Sequence, residues 1–413
     1  MTRCVVVGRG AREHALAWAL ADSCEVVVTP GNAGIAAHGI AVSDRPAGEL
    51  GADLVVVGPE APLVEGLADE LRAHGVPVVG PGAAGARLEG SKAYLKEFLA
   101  AAGVPTAGYA VVDTPEAAEA RLRGARAPYV VKTDGLAAGK GVLVTDSLEA
   151  AIADARAKLS GRAFGPAGRR LVIEEGLTGE ECSVHALCDG ERVVTLAVAQ
   201  DYKRLGEGDA GPNTGGMGAF APVARVEPAT LAAIEEAVLA PTVAELRRRG
   251  IDYRGVLYAG MMLTADGPAL IEYNVRFGDP EAEVLAPLYR DGLFDLLASA
   301  AGGRLGPAPA PAGAAVTVVL AAAGYPEGPH AGDAISGLGA DGQLSEPLEG
   351  VVVFHAGTAR DASGRFVSAG GRVLAVTGTG PDLATARARA YEGAGRVDFA
   401  GCQRRLDVAR GAA

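Results

Sequence analysis

Short apolar runs alternate with helical periodicity at the start of the chain. Residues 4–8 and 54–58 are apolar runs of strand length, whereas residues 13–21 and 63–74 repeat apolar positions at helical spacing. Strands that alternate with helices across brief loops are typical of a parallel sheet with helices on both faces. The pattern therefore predicts an α/β domain with a parallel sheet over residues 1–91.

Mixed strand and helix patterns continue to the end of the chain. Ser91 is predicted to cap a helix that ends at Ala102. Further helices are predicted at 115–123, 147–159, 229–249, 281–291, 293–301 and 383–393, with strands at 128–132, 141–145, 171–175, 255–263 and 269–275. A proline-rich stretch at 307–311 has linker composition. The predicted domains are 1–91, 92–310 with a small unit at about 105–172, and a last α+β domain at 311–413.

The strand that begins at Leu270 carries the most informative polar pattern, and the turn 278–280 closes it. Because side chains alternate along a strand, Glu272, Asn274 and Arg276 share one face. The opposite, core-facing positions are predicted to be Ile271, Tyr273 and Val275. A carboxylate and an amide oxygen suit Mg²⁺, which binds through one or two protein groups, waters and substrate phosphates. A half-buried strand with a solvated polar face is the alternative.

A glycine-rich loop joins two predicted strands and contains Gly135, Gly139, Lys140 and Gly141. It is not a Walker A loop, because its glycines are too close together and Gly141 stands where Ser or Thr would bind a metal. A strand–glycine loop–strand hairpin can close its backbone N–H groups over phosphates, and Lys132 adds a positive charge. An ordinary mobile hairpin is the alternative.

The next strand ends at Glu174 and Glu175, and Leu177 and Glu181 follow in a predicted linker. Free backbone groups in such a linker match the hydrogen-bonding edge of adenine, and a carboxylate a few residues later matches ribose hydroxyls. Each carboxylate taken alone would usually be a surface charge.

A glycine-rich segment at 201–220 is predicted as a long loop between apolar strands. Such loops in compact proteins are usually functional or disordered, and the flanking strands argue against disorder. Lys203 and Arg204 suit a phosphate, and Asp201 suits an amine.

Three glycine- and proline-rich loops, at 8–10, 30–34 and 58–62, follow strands of the first domain. Ligands on such sheets bind beyond the carboxyl ends of the strands, so these loops should line one crevice. A phosphate or sugar at the helix N-terminus after Gly10 is compatible with this placement, and a tight turn is the alternative. A dinucleotide fingerprint is excluded, because Glu13 replaces its third glycine.

Composition limits the partners of the chain. Its 413 residues carry a formal net charge of −12, which argues against nucleic acid or an anionic membrane as the main partner. The five cysteines are scattered without a CxxC pair, which disfavours a zinc or redox motif. No leader-like segment or apolar run of membrane length is evident, so a cytoplasmic location is expected. The last domain shows no catalytic pattern, and His330 and His355 are interpreted as structural.

Several motifs together, in order, resemble the glycinamide ribonucleotide synthetase family of the ATP-grasp superfamily. They are AREHA at 11–15, PGNAG at 30–34, GPEAPL at 58–63, GSK at 90–92, DGLAAGKG at 134–141, IEEGL at 173–177, GPNTGGMGA at 211–219, IEYN at 271–274 and RFGDPE at 276–281. The resemblance spans essentially the whole chain. Departures from the family pattern are Arg9 and Ala11 in the first loop, and Tyr202 where His is usual.

The resemblance implies an α/β and α+β fold: an N-terminal parallel-sheet domain, an ATP-grasp domain with a mobile glycine-loop lid and a small C-terminal α+β domain. It implies ATP-dependent ligation of glycine to 5-phosphoribosylamine through glycyl phosphate, giving glycinamide ribonucleotide, ADP and phosphate in the second step of purine biosynthesis. Mg²⁺ or Mn²⁺ would be the cofactor, ATP a co-substrate, and the enzyme a monomer. Another ATP-grasp ligase or carboxylase on a related purine intermediate is the main alternative. A non-catalytic ATP-binding module is the other.

The resemblance also implies roles for individual residues. The catalytic residues would be Arg276, Lys132 and Asp201. The nucleotide would contact Lys92, Lys132, Gly135, Gly139, Lys140, Gly141, Glu174, Glu175, Leu177 and Glu181. The substrates would contact Gly10, Glu13, Asn32, Glu60, Asp201, Lys203, Arg204, Asn213, Thr214, Gly215, Gly216, Arg276 and Asp279. The metal ligands would be Glu272 and Asn274, since residues 259–261 lack the further acid that many ATP-grasp enzymes carry.

Overall fold

The computed structural model describes residues 2–136, 141–161 and 168–412. Its first sheet has the parallel strands β1 Arg3–Gly8, β2 Glu25–Pro30, β3 Ala41–Val42, β4 Leu54–Val57 and β5 Val78–Val79, in the order β3-β2-β1-β4-β5. The helices of this domain are α1 Ala11–Leu20, α2 Ala33–Ala37, α3 Glu60–Val64, α4 Leu67–Ala73 and α5 Ala83–Gly90. Val5 and Val6 are fully buried in two different cores, one on each face of the sheet. The predicted parallel sheet is confirmed, but the single helix predicted at 63–74 is wrong, because Gly66 adopts a φ of 94° and divides it.

A smaller antiparallel sheet follows helix α6 Lys92–Ala102. Its strands are β6 Tyr109–Val112, β7 Tyr129–Thr133, β8 Val142–Thr145 and β9 Leu171–Glu175, in the order β6-β9-β7-β8, and its helices are α7 Pro115–Arg123 and α8 Leu148–Leu159. Leu122, Val131 and Ile173 belong to a separate core inside this unit. The lid predicted at about 105–172 covers most of these elements, and its bounds stay a prediction.

The central antiparallel sheet carries the predicted metal strand. Its strands are β10 Glu180–Asp189, β11 Val193–Thr195, β16 Arg254–Thr264 and β17 Gly267–Asn274, in the order β11-β10-β16-β17. Strand β10 is not among the predicted elements, because its polar start at Glu180 hides the strand pattern. In β17, Leu270 pairs with Met261 and Glu272 pairs with Gly260, so Ile271 is the extra residue of a bulge. Leu270 therefore takes the core position predicted for Ile271.

Four helices complete the middle of the chain: α9 Pro228–Ile234, α10 Ala240–Arg248, α11 Ala282–Leu288 and α12 Leu293–Ala301. The helix predicted at 229–249 contains a π turn at Glu235–Leu239, so it divides into α9 and α10. The predicted linker lies in a stretch, 304–312, without helix or strand. None of the helices in the described ranges combines the length and the apolar character that a membrane crossing requires.

The C-terminal sheet takes strands from both sides of the predicted linker. Its strands are β12 Gln200–Asp201, β15 Gly218–Ala221, β18 Ala314–Ala321, β19 Val351–His355 and β22 Arg372–Gly380, in the order β12-β15-β18-β22-β19, and helix α13 Leu383–Gly395 packs on it. Two hairpins complete the fold, β13 Arg204–Gly206 with β14 Ala210–Asn213, and β20 Thr358–Arg360 with β21 Phe366–Ser368. The long loop predicted at 201–220 is therefore wrong. Arg405, only 1% exposed, donates to the carbonyl of Arg204 at 3.1 Å and to Asp209 at 2.8 Å, contacts to a distant segment that stabilise the first hairpin.

Candidate active site

Glu272 lies in strand β17 among cationic side chains from three parts of the chain. Burial raises the pKa of its carboxyl group, but the charges of Lys203, Lys132 and Lys92 more than offset this effect and hold the pKa below its usual range. Arg276 adds to the lowering. No residue in the described part of the chain forms a hydrogen bond or a close ion pair with this carboxylate. Glu272 is therefore charged and available to a cation.

The donor atoms beside Glu272 suit a divalent cation bound by few protein groups. Asn274 lies two residues further along, and its Oδ1 accepts a single hydrogen bond, at 3.3 Å, from Arg276. Across the described ranges, no three or more His, Cys, Asp or Glu side chains form a group that could hold a metal. One carboxylate and one amide oxygen match an ion that keeps waters and substrate phosphates as its other ligands. The residues present fit the predicted metal pair.

Lys132 is held by a buried carboxylate that the sequence analysis assigned to the adenine site. Its Nζ lies 2.9 Å from Glu174 Oε2, and Glu174 Oε1 lies 3.1 Å from Lys96 Nζ. Lys96 donates to Thr106 Oγ1 at 2.7 Å, and Thr106 donates to the carbonyl of Leu270 at 2.7 Å. Both carboxylate oxygens of Glu174 thus bind lysines. The network joins the small sheet to strand β17.

The other residues predicted at the nucleotide end lie around the turn between β9 and β10. Glu175 is exposed and pairs with Arg121 at 3.4 Å, and Leu177 is half-buried. Glu181 pairs with Lys203 at 2.8 Å. Residues 176–179 belong to no helix or strand, so their backbone groups lie outside any ladder, as an adenine-binding linker requires.

The start of helix α6 is bonded to the lid. Ser91 caps the helix, as predicted, and also donates to Asp134 Oδ1 at 2.8 Å. Asp134 pairs in addition with Arg170, whose Nε lies 2.8 Å from Oδ2. Lys92 donates to the carbonyl of Gly135 at 3.4 Å. Burial lowers the pKa of Lys92, and Lys132 adds to the lowering while Glu272 opposes it.

The base of the glycine hairpin is closed by a backbone hydrogen bond from the N–H of Thr133 to the carbonyl of Gly141, at 2.9 Å. Gly135 at the other end adopts a φ of 116°, a conformation that favours glycine. The predicted nucleotide contacts Gly139 and Lys140 lie outside the described residues. Their assignment stays a prediction.

Arg276 lies between two carboxylates of the N-terminal domain. Its Nε is 3.2 Å from Glu60 Oε2, and its terminal nitrogen is 2.9 Å from Glu89 Oε1. Glu89 Oε2 also accepts the N–H of Val275 at 2.8 Å. Burial disfavours the charge of Arg276, but Glu89 and Glu60 reverse this effect and raise its pKa. Arg276 is therefore a fixed cation at the end of the metal strand.

Glu13 connects the first and third loops of the N-terminal domain. It is 2% exposed, and its Oε2 accepts the N–H of Gly10 at 2.5 Å while Oε1 pairs with Arg12 at 2.7 Å. A Cβ on Gly58 would lie 2.0 Å from Glu13 Oε1, so only glycine fits there. Arg12 also donates to the carbonyl of Phe277 at 3.2 Å. Glu13 thus engages the Gly10 N–H that the sequence analysis left available to a phosphate.

The side chain of Asn32, like that of Glu13, forms hydrogen bonds that connect loops. Its Oδ1 caps helix α2 by accepting the N–H groups of Gly34 and Ile35, both at 2.9 Å. Its Nδ2 donates to the carbonyls of Arg9 and His355, both at 2.8 Å. The second loop is thereby joined to the first loop and to the C-terminal domain.

Asp201 and its neighbours form the charged end of the site. Burial raises the pKa of Asp201 to about 7, with Lys203 opposing the rise and Glu281 adding to it. Burial alone would lower the pKa of Lys203, but Asp201 and Glu181 reverse this and raise it well above its usual value. Arg204 donates to the carbonyl of Gly211 at 2.9 Å within its own hairpin. A carboxyl group with a pKa near neutrality is suited to proton transfer.

The glycine loop that follows strand β14 lies against Asp279. Asn213 pairs with Arg204 in the hairpin, and Thr214 Oγ1 accepts the N–H of Gly216 at 3.0 Å. Gly215 and Asp279 both contact Arg372 of the C-terminal domain. The C-terminal domain therefore contacts two of the predicted substrate-binding residues through Arg372.

Three residues of the site escaped the sequence analysis. Lys96 carried a usable signal, since a charged residue one turn after Lys92 interrupts the apolar stripe of α6. Glu89 carried a weak one, because it directly precedes the Gly-Ser-Lys motif. Arg372 carried none, because only the tertiary structure brings it to the glycine loop.

Comparison with sequence families gives three consecutive matches. The N domain of "Phosphoribosylglycinamide synthetase" matches residues 2–89, its ATP-grasp (A) domain matches residues 90–282, and its C domain matches residues 315–411. A phosphoribosylamine–glycine ligase of Streptomyces coelicolor is 48% identical and covers 99% of both chains. One of Phenylobacterium zucineum is 47% identical and covers 98% of both.

Solved structures show the same likeness. The crystal structure of phosphoribosylamine–glycine ligase from Thermotoga maritima superposes with a TM-score of 0.87 at 39% identity, covering 98% of this chain and 100% of that one. The biotin carboxylase domain of Hydrogenobacter thermophilus 2-oxoglutarate carboxylase, in complex with MgADP, ADP and bicarbonate, has a TM-score of 0.72 at 16% identity, covering 98% of this chain and 91% of that one. The second likeness shows the fold alone.

Proposed function

The chain belongs to the phosphoribosylglycinamide synthetase family and joins glycine to 5-phosphoribosylamine at the expense of ATP, and we propose that the residues around Glu272 perform this step through glycyl phosphate. The reaction forms a C–N bond and belongs to purine biosynthesis. One observation carries the proposal: a charged carboxylate without a protein partner, in the described part of the chain, lies among Lys92, Lys132, Lys203 and Arg276.

A divalent cation, Mg²⁺ or Mn²⁺, would be held by Glu272 and Asn274 and would neutralise negative charge on the ATP phosphates. Lys132 and Lys92 bind the phosphates, and the carboxylate of Glu174 keeps Lys132 in place. The lid residues Gly135, Gly139, Lys140 and Gly141 exclude water. Adenine lies against the backbone after Glu175, near Leu177, with Glu181 towards the ribose.

Two substitutions make up the reaction. A carboxylate oxygen of glycine attacks the γ-phosphorus of ATP, the bond to the bridging oxygen breaks, and ADP leaves. The amine of 5-phosphoribosylamine then attacks the acyl carbon, the C–O bond to phosphate breaks, and the amine loses a proton. Arg276, already charged and fixed by Glu89, stabilises the acyl phosphate. Asp201, with a pKa of about 7, accepts the proton.

The second substrate is bound by the loops at the charged end of the site, around Asp201. Lys203 provides the main positive charge for its phosphate, with Arg204 beside it in the sequence. Further predicted contacts come from Gly10, Glu13, Asn32, Glu60, Asn213, Thr214, Gly215, Gly216 and Asp279. Since both oxygens of Glu13 already have partners, Glu13 contributes by shaping the loops.

We place the enzyme in the cytoplasm as a monomer. The large exposed apolar side chains in the described ranges, Val42, Val111, Leu136, Val144 and Leu406, are scattered along the chain. The acidic net charge of −12 also disfavours self-association. Sedimentation equilibrium should give the mass of one chain, 41.5 kDa.

Release of ADP tests the proposal, because it should require both glycine and 5-phosphoribosylamine. Equal release of ADP without glycine would refute the proposed ligase activity. Turnover of an aminoimidazole ribonucleotide with bicarbonate would favour the alternative carboxylase. Glu272→Ala should abolish turnover without loss of the fold. Asp266→Asn, at the exposed turn between β16 and β17, is the matched control and should retain activity.

A further inference from the structure

Arg372, at the start of strand β22, contacts two loops of the candidate active site, at Gly215 and Asp279, from the C-terminal domain. One of its terminal nitrogens donates to the carbonyl of Gly215 at 2.6 Å and to that of Asp279 at 2.8 Å. The other lies 2.9 Å from the carboxylate of Asp279. The nearby Tyr325 hydroxyl accepts the N–H of Gly215 at 2.9 Å. The C-terminal domain therefore binds both loops with hydrogen bonds.

The close packing of the two loops leaves no room for side chains at Gly215 and Gly216. A Cβ on Gly215 would lie 3.0 Å from the guanidinium carbon of Arg372, and one on Gly216 would lie 2.4 Å from Pro280 Cδ. Gly216 also adopts a φ of 111°, which disfavours any other residue. A guanidinium is a planar, pre-organised set of donors, so it can fix several acceptors at once, unlike the ammonium of lysine.

A buried acidic residue, Glu283, lies near Asp279. Glu283 in helix α11 is fully buried, and neither of its carboxyl oxygens has a donor among the described residues. Burial and the neighbouring Asp279 raise the pKa of Glu283 well above its usual value. Asp279 is thus bound by Arg372 and lies close enough to the buried Glu283 to influence its pKa.

We propose that Arg372 is a positioning residue, by which the C-terminal domain holds Asp279 and the glycine loop 213–216 in the arrangement that receives the phosphoribosyl group. The inference rests on the proposed binding of 5-phosphoribosylamine at these loops. Arg372 acts through the loops, because its hydrogen bonds go to their carbonyl groups and to the carboxylate of Asp279. It therefore sets affinity for the sugar phosphate and leaves ATP binding unchanged.

Substitution of Arg372 separates this role from general stability. Arg372→Met and Arg372→Lys should raise the KM for 5-phosphoribosylamine about tenfold or more, since a bidentate site loses its fork. The inhibition constant of ribose 5-phosphate, a non-reacting probe, should rise in parallel, while the KM values for ATP and glycine change less than about twofold. Tyr325→Phe should change the same constants in the same direction by a smaller factor.

Arg360→Met is the matched control. Arg360 also joins two loops of the C-terminal domain, with donations to Gly364 at 2.6 Å and Ala340 at 2.7 Å, and within the described ranges it forms no hydrogen bond or ion pair with a residue of the candidate site. Its substitution should leave all KM values unchanged. Guanidinium ion at millimolar concentration should partly restore the affinity of Arg372→Ala for 5-phosphoribosylamine and should not activate the wild-type enzyme.

The outcomes distinguish this inference from the proposed function. If wild-type ADP release did not depend on 5-phosphoribosylamine, the proposed function would fail, and the inference with it. If wild type depends on it and Arg372→Met keeps its KM within about twofold, Arg372 has no positioning role and the function stands. A parallel rise of all three KM values with a lower thermal midpoint would also overturn the inference. If Arg372→Met does not fold, Arg372→Lys and Tyr325→Phe decide by the same constants.

Discussion

Replacement of Glu174 by Gln tests the buried charges that hold Lys132. Glu174 lies 2.9 Å from Lys132 and 3.1 Å from Lys96, and all three side chains are at most 5% exposed. At an effective dielectric constant of about 20, each pair attracts by about 5–6 kcal/mol, and desolvation offsets most of this. Removal of the carboxylate leaves two buried ammonium groups unpaired. We expect the free energy of unfolding of this region to fall by about 3–5 kcal/mol, the usual cost of breaking a buried ion pair.

Hydrogen exchange measures this loss of stability locally, which suits a chain of three domains because multidomain proteins generally do not unfold in one two-state step. Amide protons of strands β7 and β9 should exchange about 100-fold faster or more in Glu174→Gln, since 1.4 kcal/mol corresponds to a factor of ten. The KM for ATP should rise as well, because Lys132 loses its orientation.

Glu175→Gln provides a matched control one residue away. Glu175 is 60% exposed and its ion pair with Arg121 is 3.4 Å long, so its loss should cost at most about 1 kcal/mol. Similar exchange rates in the two variants would show that the buried lysines are hydrated or have lost their protons, and would refute the assumed cost of two unpaired buried charges. Lys96→Met should be milder than Glu174→Gln, because one lysine–carboxylate pair remains.

Three further outcomes follow from the site and its surroundings. Because burial raises the pKa of Asp201 to about 7, kcat/KM for 5-phosphoribosylamine should increase with pH up to that value and then level off, and a limb that persists in Asp201→Asn would contradict its role as base. Glu89→Gln should lower kcat about tenfold or more with little change in the KM for ATP, and Glu60→Gln should have a smaller effect, because only Glu89 also binds the strand backbone. Burial lowers the pKa of His355 to about 4; folding then disfavours its protonated form, so stability present above about pH 6.5 should fall by about 3 kcal/mol as the pH decreases to 4. Hydrogen exchange in strand β19, compared between wild type and His355→Gln at each pH, checks this locally, and equal pH slopes would exclude His355 as the cause.

Local patterns determined most of the elements. Helix α7, strand β9 and helix α12 begin and end where periodicity and capping residues predict, because these signals depend only on neighbours in the chain. The two-residue spacing of Glu272 and Asn274 likewise survives in β17, since both lie beyond the bulge at Ile271. The motif-based resemblance placed the family correctly, because the loops that carry it are contiguous in sequence.

Only the tertiary structure decided the partners of the charges. Glu174 and Lys132 are 42 positions apart, Glu89 and Arg276 are 187 apart, and Arg372 and Gly215 are 157 apart, so no local pattern could pair them. The hairpin at 204–213 could not be predicted locally either, because Arg405, about 200 positions away, donates a hydrogen bond to it. A sequence specifies which residues can be buried or charged within one element. The free energy of burying a charge depends on what the folded chain places beside it. Glu13 and Glu174 were predicted to contact ligands, but both are buried and bind partners within the protein.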